Sequence, residues 1–277
     1  MLKKISIGFS FIFIISVFLL VGNDYQELHQ EGMVVLLYHK ILKDSTDANK
    51  YVLNSRKFEE QLSYLRANGY RSLLPKDISN PGLNEDSDKV VMLTFDDGTE
   101  DHYALVFPLL KKYEMKGVFF VVAKYINSPG CLTDSQIKEM EEKGMEFGSH
   151  SYSHPLLDAL DKQKIHFELM KSKQELESIC GKVIISFAPP GGWYNEDVVN
   201  CAKNLGYQQL YGCEIGTNDP QKYPFIYKRI EVLGDVSLND FKNLLDPPEI
   251  LSYKVVQSVK FLLHDLIGSE NYRKLAN

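Results

Sequence analysis

The 277-residue chain has few cysteines and no excess of positive charge. Its four cysteines show neither CxxC nor Cys/His metal spacing, which argues against a cysteine-based zinc module. One or two disulfides or small buried thiols both remain open for Cys131, Cys180, Cys201 and Cys213. The formal charge of −6, with no basic stripe interleaved with aromatics, predicts no nucleic-acid partner. The chain also lacks low-complexity stretches and internal repeats.

A long uncharged run extends from Ile5 to Val21, directly after Lys3 and Lys4. It exceeds the ~7–15 residue apolar core of a cleaved signal peptide, and no Ala-x-Ala pattern follows it. It is slightly shorter than the ~20 residues that span a bilayer comfortably. We expect residues 1–22 to be a signal peptide or a signal anchor, and favour an uncleaved anchor that tethers the domain through residues 5–21. In either case the domain is expected outside the cytoplasm, membrane-anchored or secreted.

Between residues 30 and 245, strand-like apolar runs alternate with helical patterns. Strands are predicted at 34–39, 90–95, 117–123, 145–149, 184–188, 209–212 and 225–232. Helices are predicted at 58–69, 103–115, 135–144, 161–180 and 196–205. This alternation indicates right-handed βαβ units around a parallel sheet. From Asp246 onward, a Pro247-Pro248 break and apolar residues at helical spacing predict a C-terminal helical extension over residues 246–277.

Polar and special residues follow the predicted strands at their carboxyl ends, namely His39, Asp96, Asp97, His150 and Pro189. In a (β/α) barrel these ends converge on one pocket, whereas an open sheet spreads them along a line. The predicted fold is therefore α/β, an irregular (β/α) barrel of about seven parallel strands with a C-terminal helical appendage. The barrel domain is expected to span residues 30–245.

Two short segments carry the chemistry, Thr94-Phe95-Asp96-Asp97-Gly98 and His150-Ser151-Tyr152-Ser153-His154. An aspartate and two histidines are a ligand set for one divalent metal that leaves positions open for water and substrate. Histidines four apart on one helical turn would share a face and point at one ion. The second aspartate is then available as a base, and the pattern indicates a metal-dependent hydrolase.

Other interpretations of these segments are open from the residues alone. The aspartates can cap a helix, and the histidines can lie on a surface helix face. The same three ligands also form the facial triad of Fe(II) oxygenases. Those enzymes typically have all-β frameworks, so the alternating pattern disfavours them.

The two segments, in this order and at strand ends, resemble the first two motifs of the polysaccharide deacetylases of the NodB-homology type, carbohydrate esterase family 4. The resemblance covers roughly Met33 to Val232. The flanks that agree are Asp101, Phe107-Pro108-Leu109-Leu110-Lys111-Lys112-Tyr113, Phe119-Phe120-Val121, Leu132-Thr133 and Met145-Glu146-Phe147-Gly148-Ser149. The resemblance implies a (β/α) barrel and removal of N-acetyl groups from a β-linked N-acetylglucosamine polysaccharide.

The resemblance also implies roles for individual residues. Asp97, His150 and His154 would bind Zn²⁺, or another divalent metal such as Co²⁺ or Ni²⁺. Asp96 would be the general base that takes a proton from the attacking water. Backbone N–H groups near Gly191 would complete the oxyanion site.

The third motif departs from the family pattern. Many relatives have an arginine before two prolines, where it orients the base, and this chain has Ala188 before Pro189-Pro190. Arg229 resembles the substitute found in the branch that acts on exopolysaccharides. The alternative interpretation of Arg229 is an exposed cation on a strand, with no role at the base. The missing arginine also raises an alternative, a catalytically weak or inactive cell-surface carbohydrate-binding protein.

The general acid that protonates the leaving amine has two candidates, His39 and His264. His264 lies in a Leu-x-x-His pattern typical of the late family motif, but little chain follows it. His39 resembles the same element moved to the front of the chain, as in the exopolysaccharide branch, and is the preferred acid. Trp193 is predicted at the pocket rim, where it would stack on a sugar ring or pack on the next helix. His102 and His166 are predicted on helix surfaces.

Overall fold

The computed structural model describes residues 32–43, 49–78 and 89–246, together with His264, Gly268 and Asn271. The predicted signal segment 1–22 and nearly all of the predicted C-terminal helical extension lie outside these residues. No helix within the described residues is long and apolar enough to cross a membrane.

The central sheet of the described chain has nine strands, and all of its strand pairings are parallel. The strands of the described chain are β1 Val34–Tyr38, β2 Lys40–Leu42, β3 Val52–Asn54, β4 Arg71–Ser72, β5 Val90–Phe95, β6 Val118–Val121, β7 Glu146–Ser149, β8 Ser186–Phe187, β9 Gln209–Tyr211, β10 Ile226–Tyr227 and β11 Ile230–Glu231. Their order in the central sheet is β10-β9-β8-β7-β6-β5-β1-β11, with β4 paired to β5, while β2 and β3 form a separate parallel pair.

The sheet curls back on itself, because its two ends are joined by a very short connection. The edge strands β10 and β11 are separated in the chain by Lys228 and Arg229 alone. Three chain steps span at most ~11 Å, so the two edges must lie side by side. The predicted irregular (β/α) barrel is confirmed. Nine strands replace the seven expected, because β4 is too short to leave a pattern and segment 225–232 divides into two strands.

The helices begin and end at local capping signals. Up to Asp246 the described α-helices are α1 Ser55–Ala67, α2 Phe107–Lys112, α3 Asp134–Glu142, α4 Lys162–Cys180, α5 Glu196–Asn204 and α6 Leu238–Asn243, the last of which was not predicted. Thr133 and Gln136 form a capping box at the start of α3. Asp161 accepts a hydrogen bond from the Lys164 backbone at the start of α4, and Gly181 ends that helix with a left-handed φ of 67°. A π-helical turn at His102–Val106 leads into α2.

The strands are buried on both faces, as expected for a parallel sheet covered by helices. All five residues of β1 are buried, with Leu36 in the cluster beneath the helices and Val35 in a second cluster inside the barrel. Phe120 and Tyr211 belong to the same interior cluster. The packed interior fixes the carboxyl ends of the strands, where the polar residues lie. The four cysteines all fall within the described residues, and no two of them form a disulfide.

Candidate active site

Three predicted metal ligands meet at the carboxyl ends of the strands. Asp97 follows β5, and His150 follows β7, two strands further along the sheet. The Nε2 atoms of His150 and His154 lie 3.5 Å and 3.4 Å from Oδ1 of Asp97. One ligand atom from each residue falls within 4.8 Å of the other two, so the three can bind one ion. The cluster combines an interior side chain, His150, with two that solvent reaches.

The segment His150–His154, here called the histidine loop, is not the helical turn predicted from its spacing. Ser151 and His154 have left-handed φ angles of 63° and 65°, which a helix excludes. The two imidazole rings nevertheless lie 5.0 Å apart between centroids. The helical prediction was therefore wrong, while the convergence of the two histidines results from a folded loop.

Hydrogen bonding selects the form of His150 that binds metals. Its Nδ1 lies 2.8 Å from the Ala188 carbonyl oxygen, so Nδ1 carries the proton and donates it to that acceptor. Nε2 is then the nitrogen that faces Asp97. Burial lowers the pKa of His150 below its ordinary value, and the nearby charge of Asp96 only partly opposes this. The residue is thus held as the neutral imidazole that a metal ion requires.

Asp96 and Arg229 form a buried, bidentate ion pair beside the metal ligands. Arg229 Nη1 and Nη2 donate to Asp96 Oδ1 and Oδ2 at 2.7 Å and 2.9 Å, and both side chains are almost fully buried. Arg229 Nε donates to the Gly212 carbonyl oxygen at 2.8 Å, and its guanidinium lies 5.4 Å above the centre of the Phe120 ring. Arg229 therefore approaches Asp96 from the barrel interior, in the cluster that also contains Ala188.

The two aspartates are held in their ionised forms. Burial alone would raise the pKa of Asp96, but the charge of Arg229 and its hydrogen bonds to the carboxylate outweigh burial and place the pKa below its usual range. Burial likewise opposes the shift at Asp97, where the hydrogen bond with His154 lowers the pKa. A deprotonated Asp96 can accept a proton, and a deprotonated Asp97 can bind a cation.

His39 reaches the same site from β1. Its Nδ1 lies 3.7 Å from Glu231 Oε1, on the strand that pairs with β1. The Asp96 backbone N–H donates to the Tyr38 carbonyl oxygen at 2.9 Å, so the backbone of His39 lies beside that of the two aspartates. Tyr51, a partly exposed tyrosine, lies 5.1 Å from the His39 ring between centroids.

The predicted surface position is wrong for His102. This side chain is fully buried, and its Nε2 lies 2.9 Å from the His39 carbonyl oxygen. The neighbouring Asp101 accepts a hydrogen bond from the Ile41 backbone at 2.7 Å. Both residues follow the TFDDG motif, so one segment holds the backbone that directly follows the His39 side chain. His166 is exposed on α4, as predicted.

Trp193 and His264 meet each other. Their rings stack in parallel with centroids 3.6 Å apart. His264 Nε2 also lies 3.3 Å from Asp158 Oδ2. Gly191 is exposed in a turn just before Trp193, with a left-handed φ of 69°. The structure thus brings together Asp96, Asp97, His150, His154, Arg229 and His39, and it pairs His264 with Trp193.

Sequence reasoning missed two acidic residues of the site, Glu231 and Glu168. Glu168 lies on α4 and accepts hydrogen bonds from the histidine loop. The sequence pattern could have indicated that Glu168 is buried, because this residue falls on the same helix face as the buried residues Ile165, Leu169 and Ser172. A carboxylate at a position expected to be apolar indicates a buried polar contact.

Sequence comparison finds relatives that share this site region. Residues 83–210 match the sequence profile described as Polysaccharide deacetylase. YxkH of Bacillus subtilis (strain 168), whose name places it among polysaccharide deacetylases, is 32% identical over 210 residues, covering 75% of this chain and 74% of YxkH. The poly-beta-1,6-N-acetyl-D-glucosamine N-deacetylase of Staphylococcus epidermidis is 25% identical over 240 residues, covering 77% of this chain and 83% of that protein.

A solved structure shares the fold. The Streptococcus pyogenes deacetylase PplD in complex with acetate superposes with a TM-score of 0.72 and 30% sequence identity. The match covers 78% of this chain and 99% of PplD. Identity over three quarters of the chain, together with the common barrel, shows that the chain belongs to the polysaccharide deacetylase family.

Proposed function

We propose that the protein is a metal-dependent hydrolase that removes N-acetyl groups from a β-linked N-acetylglucosamine polysaccharide. The observation that carries the proposal is the cluster of Asp97, His150 and His154 within 4.8 Å, beside the buried Asp96–Arg229 pair. A member of this family is a hydrolase by the chemistry of deacetylation. The Staphylococcus epidermidis relative is named for a β-linked N-acetylglucosamine polymer, which supports this substrate class.

The donor set suits zinc or a similar divalent transition metal. Two imidazole nitrogens and one carboxylate oxygen are the ligands typical of catalytic zinc sites, which keep a further position open. The Ala188 carbonyl oxygen fixes His150 in the orientation that a ligand needs. When bound, such an ion lowers the pKa of water and polarises the acetyl carbonyl.

The protein residues supply the proton transfers. Asp96 accepts a proton from the attacking water, because Arg229 holds it ionised and oriented. His39 donates a proton to the leaving nitrogen, and Glu231 Oε1 lies 3.7 Å from its Nδ1. Backbone N–H groups near Gly191 stabilise the developing oxyanion, and Trp193 contacts a sugar ring.

The same proposal extends to the location of the enzyme. A polysaccharide of the cell envelope lies outside the cytoplasm, and the Lys-Lys pair before the uncharged run 5–21 suits a signal or anchor. We propose that the domain acts outside the cytoplasm, tethered through residues 5–21 or secreted.

The alternative of an inactive carbohydrate-binding protein rested on the absence of arginine at Ala188. The bidentate contact of Arg229 with Asp96 supplies an arginine at the base by another route. This contact favours the enzyme, and the experiment below separates the two functions.

The test of the proposed function is acetate release from N-acetylglucosamine oligomers by the protein without residues 1–22. We expect no release from metal-stripped protein and recovery with Zn²⁺ or Co²⁺, because three ligand atoms converge within 4.8 Å of one another. A His154→Ala variant should lose both the metal and the activity. Oligomer binding without acetate release, at any metal, would instead support the carbohydrate-binding alternative.

The Asp96–Arg229 pair should make stability depend on pH in the acid range. The pKa of Asp96 is lowered in the folded state, so the pair stabilises the protein fully above the unfolded pKa of about 4. That contribution is lost as the pH falls through the folded pKa. Asp96→Asn should therefore be less stable than the parent by about 3–5 kcal/mol at neutral pH, and the gap should narrow below about pH 4. Urea unfolding at a series of pH values measures the free energy of unfolding of both proteins. A difference between them that does not change with pH would contradict a lowered pKa at Asp96 in the folded state.

A further inference from the structure

All five backbone N–H groups of the histidine loop donate hydrogen bonds, four of them to side chains. The His150 N–H donates to Val121 of β6, and the N–H groups of Ser151 and His154 donate to serine hydroxyls at Ser149 and Ser151. The remaining two N–H groups, of Tyr152 and Ser153, both donate to one carboxylate oxygen of Glu168. Glu168 therefore satisfies two of the five donors of the loop, more than any other single side chain.

Glu168 reaches the loop from α4 and is 7% exposed. Its Oε2 accepts from the backbone N–H of Tyr152 at 3.0 Å and of Ser153 at 2.7 Å, and its Oε1 accepts from Ser153 Oγ at 2.6 Å. One turn further along α4, Ser172 bonds to Ser149 at the end of β7. Helix α4 thus holds both the end of β7, which precedes His150, and the loop between His150 and His154.

On the opposite side, the loop is bonded to the segment after β6. The carbonyl oxygens of Ser151 and Tyr152 accept from the backbone of Ala123 and Lys124 at 3.3 Å and 2.9 Å. These two carbonyls bond to backbone alone, whereas the N–H groups depend largely on side chains, and on Glu168 for two of the five donors. Loss of Glu168 removes those two bonds from a loop that holds left-handed backbone at Ser151 and His154.

We propose that Glu168 is a positioning residue for the metal: it holds the histidine loop so that His154 faces the same ion as His150 and Asp97. This inference rests on the proposed function, because it requires that the three residues bind a metal. Glu168 is not a member of the cluster of Asp97, His150 and His154. It acts through the backbone of Tyr152 and Ser153, as outer contacts of metal ligands do when they set affinity.

The experiment compares zinc affinity, measured by chelator competition, among Glu168→Ala, Glu168→Gln and the parent protein. We expect affinity about 10–100-fold weaker in Glu168→Ala. Glu168→Gln keeps an oxygen that can accept both N–H bonds, so it should recover most of the affinity. The visible spectrum of the Co²⁺ form should change in the same order. Glu175→Gln is the matched control, because Glu175 lies on the same helix in an exposed ion pair with Lys171.

The possible results separate the two proposals. Parent protein that binds no zinc would overturn the proposed function and this inference with it. Parent protein that binds zinc, with Glu168→Ala binding it equally tightly, would overturn the inference alone. If Glu168→Ala fails to fold, Ser153→Ala tests the inference instead, because it removes only the 2.6 Å hydrogen bond from the Ser153 hydroxyl to Glu168. We expect Ser153→Ala to weaken zinc binding by several-fold, and unchanged zinc affinity would overturn the inference.

Discussion

Replacement of Arg229 by methionine is expected to lower kcat for deacetylation by about 10²–10³-fold and to destabilise the protein. The rate should fall because Asp96 loses the fork of donors that holds it ionised and oriented for proton transfer. The stability should fall by about 3–5 kcal/mol because a buried carboxylate is left without its partner. Arg229→Lys keeps the charge but cannot reproduce the bidentate contact, so an intermediate rate is expected.

Two variants separate the catalytic effect from the structural one. A double variant, Asp96→Asn with Arg229→Met, removes the buried charges and should recover much of the stability but none of the activity. Arg66→Met is the matched control, because Arg66 forms an exposed ion pair with Glu114 whose loss costs about 1 kcal/mol or less. Steady-state kinetics and urea unfolding measure both effects. Turnover at the parent rate in Arg229→Met would mean that another group orients Asp96.

The barrel was predictable because the same stretches of sequence indicate both the buried strands and the polar residues at their carboxyl ends. Each buried strand is an apolar run, and polar residues follow β1, β5 and β7 at the carboxyl end. Parallel strands bring those ends to one face, so Asp97 and His150 could be placed together before any coordinates were known. The pairing of Asp96 with Arg229 was predicted only through the family resemblance. It depends on the two-residue connection between β10 and β11, which carries no pattern of its own.

The histidine loop shows what the pattern could not give. A spacing of four is consistent with a helix, but the backbone groups of Tyr152 and Ser153 bond to Glu168, a residue distant in the chain. Such a tertiary contact overrides the local periodicity. His102 was missed for a related reason, because only the fold places the His39 carbonyl oxygen beside the first turn after the TFDDG motif.

Replacement of His39 by alanine is expected to lower kcat by about 10²–10⁴-fold, whereas His264→Ala should change kcat little. His39 follows β1 beside Asp96, whose backbone N–H donates to the Tyr38 carbonyl oxygen, and its Nδ1 lies 3.7 Å from Glu231 Oε1. His264 instead stacks on Trp193 and approaches Asp158. Because we propose that Trp193 contacts a sugar ring, loss of His264 should change KM by a few-fold. Glu231→Gln should lower kcat by about 10-fold, because a neutral amide orients the imidazole less strongly.

The leaving group provides the sharpest test of the role of His39. An amine must be protonated as it departs from an N-acetyl group, while the phenolate of an activated aryl acetate leaves without a proton. If His39 is the general acid, His39→Ala should be severely impaired toward N-acetylglucosamine oligomers and much less impaired toward the aryl acetate. Asp96→Asn serves as the control, because the base is needed for the attack of water on either substrate and both rates should fall alike. An equal loss on both substrates in His39→Ala would instead assign this residue to binding or to support of Asp96, and would return His264 as the acid to test.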